Sequence, residues 1–176
     1  MTRVAGFLLI GWFFLFLQAG PVARSLPDGL KPDLLLLLVV FLGLRESPVR
    51  GAVLALLLGY LMDVFAAVTL GLNGLVMLIL FLAVRTTADR VNTESPMLMV
   101  LMAGVGTLFA GLVQAFLLGY FAGQEGLWTM VIRGLPAQVG MNMGTALILL
   151  GAGRWIERRL RPDLVRLGLW PRKRLL

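Results

Sequence analysis

Six stretches of this chain contain no Asp, Glu, Lys or Arg: residues 4–23, 34–44, 51–62, 64–84, 95–124 and 134–153. A bilayer core about 30 Å thick is crossed by roughly 20 apolar residues in a helix, at about 1.5 Å of rise each. The chain has 176 residues, of which 59% are hydrophobic and 14% charged, so most of it must meet lipid rather than water. A β-barrel would alternate apolar and polar residues along each strand, and these runs do not alternate. The chain is therefore expected to be all-α: a polytopic helical membrane protein with six transmembrane helices in one bundle.

The expected spans are Val4–Ala19, Pro32–Leu44, Gly51–Thr69, a fourth that starts after Gly71-Leu72-Asn73 and ends near Val84, Met97–Tyr120 and Leu135–Trp155. Pro32 suits a helix start, with Asp33 in the first turn where a carboxylate complements the helix dipole. Residues 21–31 read as a loop, because Pro21, Pro27 and Gly29 interrupt them. Spans 2 and 4 have apolar cores too short to cross alone without flanking residues or local thinning, and belong inside the bundle or beside a partner. A five-span alternative merges spans 3 and 4 into one re-entrant unit. The first run is 20 uncharged residues long, more than a secretory h-region of about 7–15, and no A-x-A site follows it. It reads as a retained span.

Charge sets the orientation. Of 16 basic residues, Arg3, Arg45, Arg50, Arg85, Arg90 and the eight from Arg154 onward fall on one side, against Arg24, Lys31 and Arg133 on the other. Thirteen against three places both termini in the cytoplasm by the positive-inside rule. Residues 1–156 then form the six-span domain and 157–176 a basic juxtamembrane tail. Eight bases and two acids from residue 154 onward supply +6 of the net +7. Arg154, Arg158, Arg159, Arg161, Arg166, Arg172, Lys173 and Arg174, interleaved with Trp155, Trp170 and leucines, suit contact with anionic headgroups. Binding a cytosolic protein is the alternative use of that tail. Nucleic acid is not an expected partner.

Within the spans, helical phase at 100° per residue groups Ala52, Ala55, Gly59, Asp63 and Ala66 on one face of span 3, with Gly51 at its start. Gly104, Thr107, Gly111 and Ala115 share a face of span 5. On span 6, Gly140, Gly144 and Gly151 lie opposite Gln138, Asn142 and Thr145. Small residues let helices approach closely in lipid. Gly51, Ala52, Ala55, Gly59, Gly104, Gly111, Gly140 and Gly144 are therefore candidates either for packing within the bundle or for docking a partner helix.

Asp63 is the one carboxylate inside a run, where an ionised group costs from about 2.5 kcal/mol upward. Its place among small residues argues that it faces protein. Candidate partners are Asn73, Gln114, Gln138 and Asn142, or an arginine of another chain. Its role is either structural or partner-binding. Proton relay is disfavoured, because no second intramembrane carboxylate or histidine is present to pass a proton on.

The chain has no cysteine and no histidine. Ser-His and Cys-His pairs are thereby excluded, as are disulfides and imidazole metal ligands. No catalytic, cofactor or metal-binding residue is nominated, and the chain is read as non-enzymatic, an intramembrane enzyme being the third class.

The stretch Pro32-Asp33, Gly43-Leu44-Arg45, Gly51, Gly59, Asp63 and Gly71-Leu72-Asn73 resembles the MreD family of bacterial rod shape-determining membrane proteins. These anchors cover about a quarter of the chain, and Met62 stands where a glutamine often precedes the acid. The resemblance implies a scaffold of the cell-elongation complex in the bacterial cytoplasmic membrane. It implies direct binding of MreC, with MreB, RodA and its class B transpeptidase as members of the same assembly controlling cell shape and lateral peptidoglycan synthesis. It implies no cofactor. MreD proteins are also similar in helical organisation to the S subunits of energy-coupling-factor transporters. A small-molecule-binding S-like subunit is therefore the alternative function.

Overall fold

A computed structural model describes residues 2–20, 31–66, 71–90, 95–122 and 127–166. They form α1 (Thr2–Ala19), α2 (Leu34–Arg45), α3 (Pro48–Ala66), α4 (Leu72–Ala88), α5 (Pro96–Ala122) and α6 (Leu127–Arg166). Among the described residues there is no strand. The all-α expectation holds, and the six helices correspond in order to the six apolar runs.

Three of the helices, α3, α5 and α6, are long and apolar enough to cross a membrane, while α1, α2 and α4 are shorter apolar helices. At about 1.5 Å per residue, the 12-residue α2 spans only about 18 Å. Ten of its twelve residues are buried, and it touches each of the other five helices. A helix that is apolar on every side must be enclosed by protein or lipid on every side. Here protein encloses it, so its shortness is matched to a place at the centre of the bundle.

Around α2, α1 packs on α2 and α3, and α3 pairs closely with α4. The α5–α6 pair closes the other side through contacts of both helices with α2 and of α5 with α4. The main core joins Leu35, Val39, Leu42, Leu54, Leu58, Leu80 and Phe81 from α2, α3 and α4. A smaller cluster of Leu37, Val100, Ala103 and Ala146 seats α5 and α6. The outer surface carries large apolar side chains instead, including Leu9, Phe16, Val53, Val64, Leu101, Phe116 and Ile148. Apolar groups therefore face both inward and outward, as they do when the surrounding solvent is hydrocarbon.

Several boundaries differ from expectation, each for a local reason. Asp33 is not in the first turn of α2 but caps it, its carboxylate accepting from the Leu36 N–H, and Pro32 stands outside the helix. A side-chain acceptor at the cap satisfies a backbone donor that the helix leaves orphaned. α3 begins at Pro48 rather than Gly51, because proline at the first helical position has no N–H to leave unpaired. The Gly51 N–H already donates to the Ser47 carbonyl at 2.9 Å. α6 is 40 residues long, about 60 Å, and extends beyond the expected span Leu135–Trp155 at both ends. The loop expected at 21–31 falls mostly outside the described residues.

Candidate functional site

The chemistry of this chain lies inside the bundle. Asp33, Asp63, Asn73, Thr107 and Asn142 are all buried, Asp63 and Asn142 completely. They form two separate knots.

The first knot joins α3 to the start of α4. α3 delivers Asp63 from its last turn, and the chain re-enters α4 through Gly71 at φ 93°. This left-handed conformation is open to glycine and costly for other residues. It turns a run of N–H groups toward α3. Asp63 Oδ2 accepts from the Gly71 N–H at 2.9 Å and the Gly74 N–H at 3.3 Å. Its Oδ1 accepts from the Asn73 N–H at 3.1 Å and from Asn73 Nδ2 at 2.8 Å. All four contacts are donors, which fits the ionised, acceptor-only carboxylate. The first-turn N–H groups of α4 also carry its positive dipole end. Hydrogen bonds to a charged group contribute about 1.5–3 kcal/mol each. Four of them offset an intramembrane cost that starts near 2.5 kcal/mol.

Gly59 makes this approach possible. A Cβ at residue 59 would stand 2.5 Å from the Asn73 carbonyl oxygen and 2.6 Å from the Gly74 Cα. Both obstacles are backbone and cannot rotate aside. One turn of α3 thus supplies the carboxylate, and the preceding turn supplies the gap that lets α4 reach it.

The second knot joins α2, α5 and α6. The Asp33 N–H donates to Asn142 Oδ1 at 2.7 Å. Asn142 Nδ2 donates to Thr107 Oγ1 at 2.9 Å, and the Thr107 hydroxyl donates to the Ala103 carbonyl at 2.6 Å. Gln18 of α1 lies beside the Asp33 carboxyl. One buried relay therefore tethers three helices, α2, α5 and α6. At the opposite end of α4, Arg85 Nη1 donates to the Glu46 carbonyl at 3.2 Å, and Arg85 pairs with Asp89 at 2.9 Å. The end of α4 is thereby held to the α2–α3 turn.

Of the four polar residues nominated as partners of Asp63, Asn73 is bound to it. Asn142 belongs to the other knot. Gln114 and Gln138 are half-buried and enter neither. In the sequence Asp33 shows only as a helix-start carboxylate, Thr107 only as a small residue on its face, and Gln18 carries no distinguishing spacing. Their common signal is a polar side chain in or beside an apolar run, on a helix that must pack on every side.

The small residues divide. Ala55 is fully buried and Ala52 packs against the main core. Gly51 lies under the Phe81 ring, Gly104 under Met143 and Gly111 under Leu135. The α3 face thus serves α4, and the α5 face serves α6. Gly140, Gly144 and Gly151 have nothing within 4 Å of the place a Cβ would take. Sequence reasoning expected α6 to contact neighbours on both faces. Within the chain it does so through the Asn142 side, and the glycine side stays open. Arg154 and Arg159 are exposed, with Arg159 lying 5.1 Å above the Trp155 ring. Arg172, Lys173 and Arg174 lie outside the described residues, and Arg158, Arg161 and Arg166 are described only as positions in α6. No group of three or more His, Cys, Asp or Glu that could hold a metal occurs among the described residues.

Compared with known protein families, residues 2–150 match the family described as rod shape-determining protein MreD. No curated protein and no solved structure matches the chain.

Proposed function

The chain belongs to the MreD family of rod shape-determining membrane proteins, and from that premise we propose that it is a non-enzymatic scaffold of the cell-elongation complex. In this reading its six helices cross the bacterial cytoplasmic membrane with both termini inside, as the thirteen-to-three distribution of basic residues favours. MreC is the direct partner. MreB, RodA and its class B transpeptidase belong to the same assembly, through which the chain acts on cell shape and lateral peptidoglycan synthesis.

The observation that carries this reading is the division among the glycines. Gly51 and Gly59 of α3 and Gly104 and Gly111 of α5 are consumed by internal packing, whereas Gly140 and Gly144 of α6 are open. Glycine in an exposed helix interior costs about 0.8–1 kcal/mol relative to alanine. A partner helix packing closely on that face would recover this cost. Three described cavities are lined mainly by apolar side chains. Such walls suit helices and lipid tails better than the polar ligand of an S-like transport subunit.

Co-expression with MreC, followed by purification of the tagged chain from detergent, tests the proposal. The scaffold reading predicts stoichiometric recovery of MreC and loss of rod shape when the chain is depleted. Failure to recover MreC, together with tight binding of one vitamin in native mass spectrometry, would favour the transport subunit instead.

A further inference from the structure

A cavity of about 350 Å³ opens between α1, α2, α5 and α6. Its walls are apolar, among them Ile10, Phe41, Leu149 and Leu150, and its lining ends at Gly153 and Arg154. By chain order it lies toward the start of α5 and the α2–α3 turn, away from the Asp63 knot. Arg154 is the one charged residue of the lining and is exposed. It stands next to Trp155 at the end of the apolar window of α6, Val131–Trp155. Tryptophan collects at headgroup depth, and the stacked Arg159 continues the same level.

We propose that this cavity holds one acyl chain of an anionic glycerophospholipid whose phosphate is bound by Arg154. The lining sets the occupant: it is apolar apart from one cation, Arg154, at its end. A flexible acyl chain conforms to such a slot and restores the dispersion contacts that an empty apolar slot would lose. The guanidinium fork pairs with phosphate oxygens through two parallel hydrogen bonds. Charge at the rim and hydrocarbon inside together match a molecule with a phosphate on an acyl tail. The site stands apart from the open glycine face and does not require MreC.

The test is native mass spectrometry of the purified full chain with equal amounts of dioleoyl phosphatidylglycerol and dioleoyl phosphatidylcholine. The wild-type chain is expected to retain one lipid, with about fivefold preference for phosphatidylglycerol, the contribution of one basic residue at an anionic surface. Arg154→Gln should keep one lipid but lose the preference. Gly153→Phe should lose both lipids. No atom lies within 4 Å of the Gly153 Cβ position, so the helix accommodates the new side chain, and Gly153→Leu serves as a second, smaller plug. Arg133→Gln, an exposed basic residue near the other end of α6, should behave as wild type. Unchanged retention in both Gly153 variants, unchanged preference in Arg154→Gln, or no lipid on the wild-type chain would each overturn the proposal.

Discussion

Asn73 gives Asp63 both its main-chain N–H and its side-chain amide, at 3.1 and 2.8 Å, onto the same carboxylate oxygen. The other oxygen takes the Gly71 and Gly74 N–H groups. The carboxylate thus works as a cap that crosses from one helix to the next, fixing how α4 enters the bundle.

Asp63→Asn should therefore not be conservative. If its amide oxygen keeps Asn73, its NH₂ group is turned against the N–H groups of Gly71 and Gly74. One buried and one partly buried hydrogen bond are lost and donors face donors. The expected destabilisation is about 3 kcal/mol. Unfolding in detergent followed by tryptophan fluorescence reads it directly.

Gly59→Ala and Gly140→Ala should differ in sign. At residue 59 the new methyl meets the Asn73 and Gly74 backbone, and overpacking of this kind costs about 1–3 kcal/mol. At residue 140 nothing is met, so the isolated chain should gain up to about 1 kcal/mol from helix propensity. Equal effects in the same unfolding assay would contradict the division between used and open glycines.

Asn142→Ala should cost about 1–3 kcal/mol, because the Asp33 N–H loses its acceptor inside the bundle. Thr107→Val should cost less, since it removes one acceptor of a single Asn142 amide proton. The two losses should be non-additive in a double-mutant cycle, as expected of groups in one hydrogen-bond network. Additive losses would mean that the two side chains act separately.

Gly71→Ala should destabilise by about 1 kcal/mol, although no atom crowds its Cβ position. The cause is the positive φ of 93°. Gly71→Asn, which tolerates this region better, should recover part of the loss in the same assay.

The sequence made some of this visible and not the rest. Six uncharged runs gave six helices, because in hydrocarbon every backbone group must be paired locally and a helix does so within one segment. Helical phase placed Asp63 and Gly59 on one face, and both turned out to share one contact. Phase alone could not choose among Asn73, Gln114, Gln138 and Asn142. That choice depends on α4 being brought back against α3 through the left-handed turn at Gly71. The relay from Asp33 to Thr107 was hidden because its members come from three helices far apart in the chain. Asn142 lies 109 residues from Asp33. The glycines of α6 looked like those of α3 and α5, since spacing carries no information on whether a neighbour arrives.

The most direct test of the scaffold account is recovery of MreC by the Gly140→Leu/Gly144→Leu double variant, co-expressed and purified beside wild type. Both side chains enter open space, so the variant should unfold no earlier than wild type. The account predicts that it brings down at least tenfold less MreC, a loss of about 1.4 kcal/mol or more in binding. Full recovery of MreC by a normally folded double variant would contradict it.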